Sequence, residues 1–341
     1  MAGKAKKMSL TFAINGFGRI GRNVLRAYIE RKNNTLQLLA INDLAAIEHA
    51  AFLLEYDSVH GHLKADIRYE GNYIYINDLP PIRYFQEADP AKLNWKETGA
   101  SIIMECTGRF TAAKDAIAHI NAGATRVLVS APSSGADRTV VYGINHEDIT
   151  GQDMIISAAS CTTNCLAPMA KLVHKACGLQ QGFMTTIHAY TGDQRLLDAE
   201  HKDMYRARAA ASNMIPTTTG AAKAVGLVLP ELEGKLDGVA IRVPTPNVSA
   251  VDLVFMPMQK TSEATLNALF KEASTGALKG VMDVTDKPLV SSDFNHCPAS
   301  VTMHLDQTKV MADGMVRLFG WYDNEWGFSN RMLDIASVLK A

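Results

Sequence analysis

Apolar and polar positions along the chain follow two successive patterns. In the first half, short apolar runs alternate with amphipathic stretches. Leu10-Thr11-Phe12-Ala13-Ile14-Asn15 reads as a strand, and Ile20, Val24, Leu25, Tyr28 and Ile29 then fall on one helical face. Residues 36–41 form a second strand that ends at Asn42-Asp43. Residues 73–76, 101–108, 126–132 and 154–158 read as further strands, and 112–120 as a helix. Strands alternating with helices predict a parallel, doubly wound sheet with its ligand at the strand C-terminal ends. From Gly182 the strands lengthen, at 183–189, 238–243, 248–256 and 315–322, and fewer helices intervene. That pattern predicts a mainly antiparallel sheet in an α+β domain. A last helix is amphipathic through Met332, Ile335, Val338 and Leu339.

Two stretches within this pattern carry chemistry. Gly16-x-Gly18-x-x-Gly21 follows the first strand and opens the first helix, and Asp43 ends the second strand about 20 residues later. In that context the glycines let the backbone approach a pyrophosphate at the helix N-terminus, and the acid accepts from a ribose 2′-hydroxyl. Thr107 and Ser130, at the ends of later strands, are candidates to line the same cleft. Either could equally be a simple turn residue.

The second stretch is Ala158-Ala159-Ser160-Cys161-Thr162-Thr163-Asn164-Cys165. Ser160 is a good N-cap for a helix over 161–177, which carries Pro168 inside it. Cys161 at a helix N-terminus should have its thiol pKa lowered. A small buried cysteine is the bland alternative, but hydroxyl and amide side chains surround this one. His188, at the end of a strand, offers a base.

Composition narrows the classes. The chain has 341 residues, 47% hydrophobic and 20% charged, with a formal net charge of −1, so it can hold two domains with real cores. Nothing in the charge balance points to nucleic acid or a membrane as partner. Five cysteines without a disulfide framework point to a reducing cytoplasm. Cys106, Cys165, Cys177 and Cys297 read as structural, and no spacing makes a metal site. The basic stretch 1–7 lacks the apolar core of a signal peptide and reads as a disordered tail. No transmembrane helix is expected.

Ser160-Cys161-Thr162-Thr163-Asn164-Cys165 followed by Thr186-Ile187-His188-Ala189-Tyr190-Thr191 resembles the phosphorylating glyceraldehyde-3-phosphate dehydrogenase family, of bacterial type. The likeness runs in family order from Asn15-Gly16-Phe17-Gly18-Arg19-Ile20-Gly21 to Trp321-Tyr322-Asp323-Asn324-Glu325. It implies a Rossmann dinucleotide-binding domain over 1–160, completed by a C-terminal helix at 325–341, and a catalytic domain over 161–324. It implies Cys161 as nucleophile and His188 as base. It implies NAD, in preference to NADP, held by Gly16, Gly18, Arg19, Ile20, Gly21, Asp43, Thr107 and Ser130, with Asn324 on the nicotinamide amide. The family places one phosphate on Thr191, Arg195 and Arg242, and another on Ser160, Thr162, Thr219 and Gly220.

Expected substrates are glyceraldehyde 3-phosphate and inorganic phosphate, in glycolysis, with a cytoplasmic homotetramer as the enzyme. Erythrose-4-phosphate dehydrogenase is the nearest alternative, although His188-Ala189-Tyr190-Thr191 and Thr217-Thr218-Thr219-Gly220-Ala221-Ala222-Lys223 look more like the glyceraldehyde enzyme. A cofactor-binding regulator or RNA-binding protein on the same fold is a rival of another class. Two departures stand out. Ala88 replaces an arginine that bacterial members often carry near the adenine. Ala199-Glu200 replaces the Leu-Pro of NAD-preferring relatives. Arg206 and Arg208 read as a solvated or interface face.

Overall fold

The computed structural model describes residues 10–32 and 35–339; the basic tail at 1–7 lies outside them. The described chain divides into two compact units. One holds the chain up to Val140, Glu147–Ala158 and the chain from Met332. The other holds Val141–His146 and Ala159–Arg331.

The first unit is built on a nine-stranded sheet. Its order is Arg138–Thr139, Ile155–Ser157, Arg126–Val129, Ile102–Glu105, Leu10–Asn15, Leu36–Asn42, Ile82–Phe85, Tyr73–Ile76 and Ile67–Glu70. The first seven pair in parallel, and the last two close the edge antiparallel. Central strands read as continuous apolar runs because both faces are covered: Phe12, Ile14, Ile103, Val127 and Leu128 are fully buried. The helix Arg19–Arg31 follows the glycine turn and buries Val24, Leu25 and Tyr28. The chain reverses at the centre of the sheet, where Leu10–Asn15 lies between Ile102–Glu105 and Leu36–Asn42. In doubly wound sheets ligands bind at that crevice. In the last helix, Trp326–Val338, Met332 and Ile335 are fully buried, as is Leu339 just after it. Val338 departs from the expected apolar face and is 38% exposed. Arg31 and Asp334 form an ion pair at 2.7 Å within this unit.

An eight-stranded mixed sheet organises the second unit. Its order is Ile215–Thr218, Leu236–Val243, Leu179–Ala189, Ser249–Pro257, Val316–Tyr322, Val301–His304 and Met282–Thr285, with Lys309–Val310 paired to Val316–Tyr322. Most pairings are antiparallel, but Leu179–Ala189 runs parallel to Leu236–Val243, and Met282–Thr285 parallel to Val301–His304. The helix Cys161–Cys177 lies on this sheet with Leu166, Met169 and Val173 fully buried, and it continues unbroken through Pro168. One consequence of the register matters most. The parallel pair places His188 directly opposite Arg242.

Candidate active site

The position of Cys161 follows from the start of one helix. Ser160 is the N-cap, its Oγ accepting from the Thr163 amide at 3.0 Å. Ala159 sits in the left-handed region at φ 58°, which turns the chain sharply ahead of the cap. Cys161 is thereby left partly exposed, while Thr162, Thr163, Asn164 and Cys165 behind it are buried. Its Sγ lies 3.5 Å from His188 Nε2.

The tautomer of His188 follows from its other nitrogen. Nδ1 lies 2.6 Å from the Ala189 carbonyl, which can only accept. In the tautomer with the proton on Nδ1, donating to that carbonyl, Nε2 turns a lone pair toward the thiol. Arg242 Nη1 donates to the same carbonyl at 3.0 Å and lies 2.9 Å from Nδ1. Burial and this guanidinium hold the imidazole pKa down to about 3. The sequence expectation of a lowered thiol pKa is corrected here. Burial is the largest influence and pushes Cys161 up, against the pull of Arg242 and of the Thr162 hydroxyl and amide. At rest the pair is thiol and neutral imidazole. Proton transfer would put opposite charges 3.5 Å apart. Their attraction is about 5 kcal/mol at an effective dielectric near 20. Moving the proton from the thiol, whose pKa burial raises, to an imidazole held to about 3 costs about 7 kcal/mol or more, because even an ordinary thiol titrates at about 8.5. The attraction offsets most but not all of that cost, so the neutral pair is the resting form.

Arg242 is a half-buried cation that hydrogen-bonds no carboxylate, and its Nε is a buried donor without a partner. An anion would satisfy it. Thr191 stands partly exposed at the end of the His188 strand. Among the loop arginines the structure shifts the expectation. Arg195 is exposed and gives its Nε to the Glu200 carbonyl at 2.8 Å. Arg206, read from sequence as a solvated residue, bonds Asp193, Thr217 Oγ1 and the Thr218 carbonyl, and its charge acts on both His188 and Arg242. Arg208 pairs with Asp198 at the surface, as a solvated residue would. Thr219, one residue before the N-cap of the helix Ala221–Val228, accepts from the Ala221 amide with its hydroxyl, and the N-cap residue Gly220 is exposed with no side chain in the way.

Thr162 differs from the other anion candidates. Its side chain is 4% exposed, and its hydroxyl is 2.8 Å from the Tyr322 hydroxyl, which also meets Thr186 Oγ1 at 2.8 Å. What Thr162 offers an anion is its amide. Tyr322, quoted in the C-terminal motif but given no role from sequence, thus ties the residue after Cys161 to the strand that carries His188, and its ring packs edge-on to the imidazole. Ser249 is a second such tie. It accepts from the Ala189 amide at 3.0 Å and donates to Asn324 Oδ1 at 2.8 Å. Asn324 is buried on the loop after Val316–Tyr322, its carbonyl oxygen fixed by that bond.

In the first unit, a groove of about 230 Å³ opens at the strand ends, lined by Gly16, Gly18, Asp43, Thr107, Asn15, Asn42, Leu44, Glu87, Ala88, Cys106, Arg109 and Phe110. Of the residues expected to hold cofactor, Gly16, Gly18, Asp43 and Thr107 are in its wall. Arg19 pairs with Asp57 in a two-bond contact, and Gly21 serves the turn itself. A Cβ on Gly21 would lie 2.1 Å from the Gly16 carbonyl oxygen, and one on Gly16, at φ +90°, would lie 2.5 Å from the Thr107 amide. Ile20 is partly buried in the helix, and the Ser130 amide bonds the Glu105 carbonyl. Asp43 is fixed by the Phe17 and Ala45 amides at 2.6 and 2.9 Å. The groove fits a dinucleotide: a side-chain-free cradle, a helix N-terminus whose N-cap Gly18 makes no side-chain cap bond, and an anchored carboxylate. Asn15, Asn42 and Glu87 were missed from sequence because polar residues ending strands also occur as ordinary turn formers.

A dinucleotide groove in one unit and a cysteine–histidine pair beside a half-buried arginine in the other suit a nicotinamide-dependent oxidoreductase. Residues 10–113 match the model of the glyceraldehyde 3-phosphate dehydrogenase NAD binding domain, and residues 160–324 match that of its C-terminal domain. The chain belongs to the glyceraldehyde-3-phosphate dehydrogenase family, as an NAD-dependent oxidoreductase of that type. It is 58% identical over 332 residues to glyceraldehyde-3-phosphate dehydrogenases of Xanthobacter flavus and of Cereibacter sphaeroides, covering 97% of this chain and 99% of each relative. The enzyme of Zymomonas mobilis is 52% identical over 334 residues, with the same coverage. Among the described residues no helix is long and apolar enough to cross a membrane, and no group of metal-ligating side chains forms.

Proposed function

We propose that the chain oxidises glyceraldehyde 3-phosphate and captures the product with inorganic phosphate as 1,3-bisphosphoglycerate, through a thioester on Cys161. The observation that carries this reading is the 3.5 Å approach of Cys161 Sγ to the lone-pair nitrogen of His188. His188 takes the thiol proton as the sulfur attacks the aldehyde carbon and returns it to the carbonyl oxygen, giving a hemithioacetal and a neutral imidazole. His188 is then placed to receive the proton of the hemithioacetal hydroxyl as the carbon loses hydride. NAD, bound in the groove, supplies the hydride acceptor. Phosphate oxygen attacks the thioester carbon, the carbon–sulfur bond breaks, and the thiolate is released.

Two anions are needed. Arg242, Thr191 and Arg206 are assigned the substrate phosphate, Arg206 standing where sequence matching had put Arg195. Ser160, the amide of Thr162, Thr219 and Gly220 are assigned the attacking phosphate. Gly16, Gly18, Asp43 and Thr107 are assigned to NAD, with Arg19, Ile20, Gly21 and Ser130 shaping the turn and the strand ends. Asn324 is assigned the nicotinamide amide. The last helix, from residue 325, is assigned to complete the dinucleotide domain.

A cytoplasmic homotetramer is the form proposed. Leu196, Leu197, Met204 and Met214, each at least 75% exposed in the loop after His188, support burial against another copy. Reduction of NAD should require inorganic phosphate and glyceraldehyde 3-phosphate, with erythrose 4-phosphate and NADP run beside them. Turnover that ignores phosphate, or that survives Cys161→Ser, would sink the mechanism.

A further inference from the structure

We propose that Glu105 and His119, neither of which touches the groove, are positioning residues for the dinucleotide. They anchor a belt of side-chain hydrogen bonds that fixes the strand ends beneath it. The belt begins at Trp95, whose indole N–H, a donor only, bonds His119 Nδ1 at 3.0 Å. Nδ1 is therefore the acceptor nitrogen, and Nε2 carries the proton toward Glu105 Oε2 at 3.0 Å. Asn15 Nδ2 donates to the same oxygen at 2.6 Å. Asn42 Nδ2 donates to Asn15 Oδ1 at 2.7 Å, and Asn42 exchanges two 2.9 Å bonds with the backbone of Glu87.

Glu105, Asn15 and Asn42 are the last residues of three adjacent strands, and Glu87 follows the end of a fourth. The bonds run across the sheet, so they set the spacing of the turns that leave it. The other carboxylate oxygen, Oε1, takes the Thr107 amide at 2.7 Å and the Thr107 hydroxyl. Thr107 is the wall on which Gly16 rests with no room for a Cβ. Glu105 thus holds both the loop that receives a pyrophosphate and the wall behind it. Glu105 is 1% exposed and His119 fully buried, so neither can serve a ligand directly.

This inference rests on the groove being the dinucleotide site, which Asp43→Ala tests separately. An unchanged NAD dissociation constant in that variant would remove the groove from the reading. The inference itself is tested with Glu105→Gln, His119→Leu and His119→Gln, by calorimetric titration with NAD on the folded full-length proteins. Glutamine at 119 can still accept from Trp95 and donate to Glu105, whereas leucine can do neither. Glu105→Gln and His119→Leu should weaken NAD by roughly tenfold or more, and His119→Gln by about threefold or less. The rate of Cys161 alkylation without NAD should stay at the parent value in all three. A lowered melting point with an unchanged NAD constant in Glu105→Gln would make the belt structural only and overturn the proposal. Equal losses in the two His119 variants would overturn it too. Should His119→Leu fail to fold, Glu105→Gln, which keeps the volume, decides alone.

Discussion

Removing one oxygen atom, by Tyr322→Phe, should damage stability and reactivity together. The Tyr322 hydroxyl is buried and is the hydrogen-bond partner of two further buried hydroxyls, Thr162 Oγ1 and Thr186 Oγ1, at 2.8 Å each. Phenylalanine keeps the ring against His188 and leaves both threonine hydroxyls without that partner. A buried polar group left unsatisfied costs about 1–3 kcal/mol, so the variant should lose roughly 2–4 kcal/mol after its own lighter desolvation is counted. Tyr28→Phe is the control. It removes a buried hydroxyl that donates to the Leu36 carbonyl at 3.2 Å and that ties together no pair of side chains, and it should cost about 1 kcal/mol. Denaturant titration with unchanged slope measures both. The functional consequence follows from where the two threonines sit. One is the residue after Cys161 and the other is two residues before His188. Untying them should loosen the 3.5 Å approach and slow both alkylation of Cys161 by iodoacetamide and hydride transfer. A Tyr322→Phe protein no less stable than Tyr28→Phe, or one alkylated at the parent rate, would refute the clamp.

Other outcomes follow from the same site. His188 is held neutral in the fold with its pKa lowered to about 3, so its contribution to stability is whole above the ordinary histidine value and is lost as pH falls toward 3. Acidification from about pH 7.5 to 5 should cost the parent about 2 kcal/mol that His188→Asn does not lose, as read from unfolding midpoints at the two pH values. Arg206→Ala should raise KM for the phosphorylated aldehyde far more than Arg195→Ala does. Equal effects would return Arg195 to the site. Asp43→Ala should narrow the preference for NAD over NADP, because the carboxylate repels a 2′-phosphate. A parent enzyme equally efficient with NADP would remove Asp43 from that role. Ser249→Ala leaves the Ala189 amide and Asn324 Oδ1 without their bond and should raise KM for NAD as well as lower kcat. A change in stability alone would limit Ser249 to the fold.

Legibility in the sequence varied with the range of the interaction. The strand–glycine–helix–strand order was readable because each part is dictated by near neighbours, from apolar period to N-cap. Ser160 capping Thr163 is such a local fact. The opposition of His188 and Arg242 was not readable. It depends on two strands running parallel in a sheet expected to be mainly antiparallel, and the register is set over about fifty residues. Arg206 was misread for a related reason. Its surroundings in sequence are polar, and only the folded loop brings Asp193 and Thr217 to it. The thiol was misjudged by weighing the helix end without the burial that opposes it. Tyr322 and Ser249 carried no local signal, since an aromatic and a serine at strand positions are ordinary core and edge residues.

Two strained backbone positions explain how rigid the site must be. Ala159 and Val248 lie in the left-handed region at φ 58° and φ 68°. For a β-branched residue such as Val248 that conformation is rare and costs about 1–3 kcal/mol. It persists only where the flanks leave no alternative. Asn247 is fastened to Asp323 and Asn295 at 2.8 and 2.7 Å, and Ser249 to Ala189 and Asn324. The strained bond is thus held between two residues whose partners include the chain around His188 and the loop bearing Asn324. Relaxing it would move Ser249, and with it the carbonyl that fixes the imidazole tautomer. Ala159 stands two residues before Cys161, and the turn it makes leads the chain into Ser160, the N-cap of the helix that Cys161 opens. At Val248 an unfavourable φ is retained because the hydrogen bonds on its two flanks also hold the chain around His188 and the loop bearing Asn324.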